Sequence, residues 1–148
     1  MHSRFSGKSA HILLVDDDPI NVRLAIEALQ ESDLSLIIDV APDGVEAIAF
    51  LHRQGEYAGV PRPDLILLDL NMPRKDGREV LAEIKADPEL KRIPVVMLTT
   101  SQDDQDVLLV YNLGANCYIA KPVDFEHLAK VLQVLVDFWF SIVQLPPN

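Results

Sequence analysis

The sequence predicts an α/β domain built on a doubly wound parallel sheet. Five short apolar runs alternate with five segments of helical spacing, the pattern of repeated strand–helix units. The middle run, Leu65–Leu68, is apolar without interruption, as in a strand covered on both faces. Right-handed crossovers and five such units fit the strand order 2-1-3-4-5. That order places ligands beyond the carboxyl ends of strands 1 and 3.

Taken in order, residues 1–10 read as a flexible polar tail and residues 11–148 as one domain. The first strand covers His11–Val15. Asp18 as N-cap and Pro19 as first helical residue open a helix over Pro19–Ser32, with Ile20, Leu24 and Leu29 at apolar positions. Leu34–Val40 reads as the second strand. Gly44–Gly55 reads as a helix carrying Val45, Ile48, Ala49 and Phe50. The third strand, Leu65–Leu70, runs into turn formers at Asn71, Pro73 and Asp76-Gly77. A helix over Gly77–Ala86 ends at Asp87-Pro88. Pro94–Thr99 is the fourth strand. Ser101, three residues before Asp104, reads as a capping box opening a helix over Gln102–Leu113. Cys117–Ala120 is the fifth strand, and a last helix begins at Asp124, with Val123 and Leu128 expected to form a hydrophobic staple. A C-terminal extension follows from about residue 137.

The 148 residues are 49% hydrophobic and 24% charged, enough for one domain with a sizeable core. The formal charge of −10 argues against a phosphate-backbone binder, so no nucleic-acid partner is expected. The single cysteine, Cys117, lies in an apolar run and reads as a core residue. No segment reads as a membrane span, and the first ten residues do not resemble a signal peptide. A soluble, cytoplasmic protein is expected.

The strand ends carry the chemistry. Asp16 and Asp17 follow Val15 directly, and Asp69 stands where the third strand stops. The predicted topology brings these carboxylates to one rim, where they are either solvated loop acids or an oxygen-only site for a hard divalent cation such as Mg²⁺. The fourth strand ends in Thr99 and Thr100, and the fifth in Lys121. Lys121 can form a structural ion pair with the acids. Alternatively, a hydroxyl and an ammonium there suit phosphoryl oxygens, with a carboxylate as nucleophile.

"LVDDD", "LLDLNMPRKDG", "LTTS" and "YIAKP", in that order, resemble the receiver domain of bacterial two-component response regulators. The likeness covers nearly all of the chain after the first ten residues and implies a flavodoxin-like fold. It implies that Asp69 is the phospho-acceptor, that Asp16 and Asp17 bind Mg²⁺ with Asp69, and that the backbone carbonyl of Asn71 is a further ligand. It makes Thr99 the switch hydroxyl, Lys121 the phosphate-binding lysine and Tyr118 the aromatic switch, and it implies a cis peptide before Pro122. Thr100 and Val123 depart from residues common in the family and bear on switching amplitude and phosphate lifetime.

The resemblance further implies a signalling protein rather than an enzyme. It would promote its own aspartyl phosphorylation and dephosphorylation and take the phosphoryl group from a sensor histidine kinase. Asn71 stands where an aspartyl-phosphate phosphatase usually carries a second acid. "GEYAGVPRPDL", "DGREVLAEIKADPELKRIPVVMLTTS" and "DFWFSIVQLPPN" are similar to small regulators paired with cyanobacterial phytochrome kinases, which implies light signalling. The alternatives are service to a non-phytochrome sensor kinase, or a phosphorylation-independent interaction module. With no effector domain following, output is expected through protein partners or onward phosphotransfer.

The last helical segment is apolar nearly all round, more than one stripe requires. It is expected to form a homodimer that buries Phe138, Trp139 and Phe140, the alternative being a tail that folds back on itself. His11, His52 and His127 have no ligand spacing and are assigned no chemistry. Arg74 and Lys75 serve either a partner's acidic surface or solubility.

Overall fold

The computed structural model describes residues 9–147. Strands β1 (Ala10–Val15), β2 (Leu36–Ala41), β3 (Leu65–Leu68), β4 (Val95–Thr99) and β5 (Cys117–Ala120) form one parallel sheet in the order β2-β1-β3-β4-β5. Helices α1 (Pro19–Gln30), α2 (Gly44–Leu51), α3 (Gly77–Ala86) and α4 (Asp104–Leu113) supply the crossovers, and α5 (Phe125–Asp137) follows the last strand. The doubly wound architecture and its strand order are those the sequence predicts.

Two cores follow from the alternation of side chains across the sheet. Ile12, Leu14, Leu65 and Leu67 pack with α1 and α5 on one face. Leu13, Val15, Ile66 and Leu68 pack with α2, α3 and α4 on the other. Every residue of β3 and β4 is buried, which explains why those runs are apolar throughout. The N-caps Asp18, Asp43, Asp76 and Asp124 each accept a backbone N–H in the following helix, so the α1 start is as expected.

The structure corrects several local expectations. Ala10 already pairs with Leu36 in β1, so the strand begins inside the proposed tail, whose residues 1–8 lie outside the described ones. Helix α2 stops at Leu51; Arg53 takes a left-handed φ of 56°, and a separate 3₁₀ turn occupies Gly55–Tyr57. Helix α4 starts at Asp104, capped by Asp103 rather than by Ser101, whose hydroxyl is engaged elsewhere. The staple is absent because Val123 is 105% exposed while Leu128 is buried. The peptide before Pro122 is trans, the lower-energy form of an X–Pro bond, and the Lys121 N–H still donates to the Thr99 carbonyl at 2.7 Å.

Beyond α5 the backbone winds into a π-helical stretch, Phe138–Ile142, closed by a bond from Val143 N to the Phe138 carbonyl. The wider turn rotates the apolar residues to two sides. Phe140 and Leu145 enter the α1/α5 core, whereas Phe138 and Ile142 stay exposed. Phe140 is thus a core residue of its own chain and not part of an intermolecular face. The tail folds back in part.

The loop from β3 to α3 is packed too closely for any side chain at its glycine. A Cβ on Gly77 would lie 2.2 Å from the Asp69 carbonyl oxygen, and one on Gly44 would lie 2.1 Å from that of Lys75. Both neighbours are backbone and cannot swing aside. Gly77→Ala is expected to destabilise the domain by about 2–3 kcal/mol, the cost of overpacking at a rigid contact, read from the urea midpoint. An unchanged midpoint would contradict this packing.

Candidate functional site

Strand register assembles the site. Val15 pairs with Leu68, so the next residues, Asp16 and Asp69, emerge side by side, and Asp69 N donates to the Val15 carbonyl at 3.0 Å. Thr99 pairs with Ala120, which places Lys121 immediately beyond the end of β5. One rim of the sheet therefore holds Asp16, Asp17, Asp69, Thr99 and Lys121. Asn71 lies in the exposed loop after β3.

One oxygen from each of Asp16, Asp17 and Asp69 lies within 4.8 Å of the others. Asp16 is buried, Asp69 half-buried and Asp17 exposed. Lys121 Nζ sits 2.9 Å from Asp16 Oδ2, with only 10% of the lysine side chain and 5% of the aspartate side chain exposed. The other oxygen of Asp16 accepts the Asp18 N–H at 2.9 Å. Asp69 Oδ1 accepts the Leu70 N–H at 2.8 Å. These bonds fix the carboxylates rather than leaving them to solvent, so the ion-pair reading of Lys121 describes this state of the site.

Burial and the neighbouring Asp16 push the Asp69 carboxyl above its ordinary value; Lys121, the Thr99 hydroxyl and the Leu70 N–H pull against them. An acid held in that balance accepts a cation readily, because a positive charge relieves both causes of the rise. Three oxygen donors of this kind fit a hard divalent ion that keeps some of its waters. Beneath the acids, a cavity of about 250 Å³ is lined by Asp16, Asp69, Lys121, Thr100 and the apolar Leu67 and Leu98.

Thr99 is fully buried, and its Oγ1 accepts the Ser101 N–H at 3.4 Å. The half-buried Tyr118 donates its hydroxyl to the Ser101 carbonyl at 2.7 Å. Both residues expected to switch thus meet at Ser101. Ser101 Oγ donates to Asp106 Oδ2 at 2.8 Å, and Arg78 Nη2 donates to Asp106 Oδ1 at 2.6 Å. Sequence reasoning missed Arg78, Ser101 and Asp106 here. An Arg and an Asp 28 positions apart on different helices carry no spacing signal; only the packing of α3 beside α4 joins them.

Arg74, at a left-handed φ of 66°, pairs with the Asp43 carboxylate, and Lys75 pairs with Glu83, so both bases brace the β3–α3 loop within the chain. Burial raises the Cys117 thiol, as suits a packed residue and not a nucleophile. Among the described residues, no helix is long and apolar enough to cross a membrane.

The raised Asp69 carboxyl sets a stability sign. A folded-state value above the ordinary 3.8 means that stability is fully present below that pH and is lost as pH rises through the folded value. Asp69→Asn is therefore expected to raise the melting temperature of the metal-free protein at pH 7. The gain should shrink as pH falls toward 3.8, which calorimetry across that range checks.

Residues 12–133 match the family of response regulator receiver domains. The response regulator Rcp1 of Synechocystis sp. is 52% identical over 135 residues, 91% of this chain and 92% of that protein. The crystal structure of the phosphorylated cyanobacterial phytochrome response regulator RcpA has a TM-score of 0.90 at 49% identity, covering 94% of this chain and 99% of its own. The Mn²⁺-bound form of Rcp1 has a TM-score of 0.87 at 51% identity, covering 93% and 99%. The chain belongs to the response regulator receiver domain family and serves two-component phosphorelay signalling.

Proposed function

We propose that Asp69 accepts a phosphoryl group from the phosphohistidine of a sensor kinase, with Mg²⁺ held by Asp16, Asp17, Asp69 and the Asn71 carbonyl. The observation that carries this is the convergence of three carboxylates within 4.8 Å at a rim that also presents Lys121 and Thr99. In the transfer, an Asp69 oxygen bonds to phosphorus as the N–P bond of the phosphohistidine breaks, and the imidazole keeps the bonding pair. Bound Mg²⁺ supplies positive charge against the crowded acids and the phosphoryl oxygens. Lys121, already within the same rim, re-pairs from Asp16 to a phosphoryl oxygen, and the Thr99 hydroxyl turns to another. Tyr118 follows, because the loop residue it holds is bonded to Thr99. The receiver also takes phosphoryl groups from small donors and loses them to water without a further catalyst.

The kinase is of the phytochrome type, so the signal is light. The identity to Rcp1 and RcpA over nearly the whole of both chains supports this reading. Ile20 at the start of α1, and Val123, which lines the cavity with Asp16 and Asp69, are 70% and 105% exposed and offer the kinase an apolar contact. With a net charge of −10 and no spanning helix among the described residues, the protein works in the cytoplasm on protein partners rather than nucleic acid or membrane.

A second copy of the chain covers the outer face of α5. Val134 and Ile142 are 64% and 63% exposed, and beside them a groove of about 490 Å³ is lined by Ile119, Val131, Phe138 and Trp139. Phe138 and Trp139 stack edge to face at 5.7 Å and form its anchor, with Phe140 left inside the fold.

The first test is intact mass after incubation with Mg²⁺ and acetyl phosphate. One phosphoryl group is expected on the wild type and none on Asp69→Asn; an adduct on both would move the acceptor elsewhere. For the dimer, sedimentation should give a mass that rises with concentration. Phe138→Ser should weaken association about tenfold or more, as loss of a central aromatic does. A monomer at every concentration would overturn that part.

A further inference from the structure

We propose that Arg78 and Asp106 form a latch that pins the β4–α4 loop in its unphosphorylated arrangement and so sets how readily Asp69 takes a phosphoryl group. The inference rests on the receiver reading above and concerns two residues outside the reacting set.

Ser101 is where the latch acts. Its N–H donates to Thr99 Oγ1 at 3.4 Å, its carbonyl accepts the Tyr118 hydroxyl at 2.7 Å, and its own hydroxyl donates to Asp106 at 2.8 Å. The first of these is long and weak; the last ends on a charged acceptor. Asp106 sits in the first turn of α4 and is tied at 2.6 Å to Arg78, the second residue of α3. Arg78 also reaches Asp76, the cap of the same helix, at 3.5 Å. Gly77, just before Arg78, packs against the Asp69 carbonyl. The loop after β4 is therefore anchored to the helix start that abuts the acceptor.

If Thr99 swings its Oγ1 toward a phosphoryl oxygen, the long bond from the Ser101 N–H is lost. The backbone through Ser101 then moves, and the bonds to Asp106 and from Tyr118 resist. The Arg78 and Asp106 side chains are only 28% and 24% exposed, so water screens their attraction in part. Arg78 and then Ser101 hold the Asp106 carboxyl below its ordinary value, so the latch is charged at neutral pH. A contact present in one state and strained in the other biases the equilibrium between them, which makes Arg78 and Asp106 positioning residues.

The experiment compares the rate of phosphorylation by acetyl phosphate with Mg²⁺ in the wild type, Arg78→Ala, Arg78→Lys and the near-isosteric Asp106→Asn. Loss of the charged pair should speed phosphorylation about 3- to 10-fold, the reach of a partly exposed pair, with Arg78→Lys between the extremes. A merely structural bridge would lower the melting temperature and leave the rate unchanged, which overturns the proposal. A second readout needs no phosphate: the Ser101 amide and Tyr118 ring resonances of the metal-free protein should move in the same direction in Arg78→Ala and Asp106→Asn. Unmoved resonances overturn the latch. If the wild type takes no phosphoryl group, the receiver reading fails, and the resonances alone then decide whether the latch holds the loop.

Discussion

The pair formed by Lys121 and Asp16 is the contact on which the rest of the site depends. Three carboxylates within 4.8 Å at a half-buried rim repel one another, and the one furthest from water, Asp16, has the least solvent to stabilise its charge. Lys121 at 2.9 Å answers that charge, and the Asp18 N–H takes the other oxygen. Removing one partner from a pair this dry costs about 3–5 kcal/mol, because the other is left charged and unpaired. The strand register explains why the lysine is in reach: Thr99 opposite Ala120 fixes where β5 ends, and Lys121 is the next residue. Backbone geometry thus sets the electrostatics.

That dependence explains why the site was legible in the sequence while much around it was not. A parallel sheet is buried on both faces, so its strands appear as apolar runs and its ends as abrupt acids, hydroxyls and a lysine. Topology alone then brings the ends together. Caps were readable where one side chain serves its own helix, as at Asp18 and Asp124, whereas those at Asp43 and Asp76 emerge only from the structure. The reading failed at Ser101, whose hydroxyl accepts only the Asp103 N–H, ahead of the helix, and donates to the Asp106 carboxylate on α4. It failed at Val123 for a related reason: a staple needs the chain to enter α5 over Leu128, and the loop carries Val123 outward instead.

The C-terminal segment shows the limit of composition as a guide. Ten apolar residues in a short stretch exceed what one helical stripe uses, but the excess alone does not say which of them face a partner. The π-helical turn decides it, by changing the angle between successive side chains so that Phe140 and Leu145 go inward while Phe138 and Ile142 go out. No residue pattern announces such a turn. The distinction matters, since a substitution at Phe140 would damage the α1/α5 core and report on stability, whereas one at Phe138 reads the outer face.

Asp69 is under two opposed demands. To act as a nucleophile it must be ionised, yet burial and Asp16 favour its protonated form. Its ionised form is favoured by Lys121, the Thr99 hydroxyl and the Leu70 N–H, and two of these three are the groups that phosphoryl oxygens would recruit in the proposed transfer. On the proposed mechanism the acceptor and its product compete for the same donors, so phosphorylation would draw Thr99 and Lys121 out of their resting contacts. Thr99 is bonded to Ser101, and Ser101 to Tyr118 and Asp106. A shortage of donors at the acid rim would in this way be converted into motion of the β4–α4 loop, and the proposed resistance of that loop would in turn set how far the shortage can be relieved.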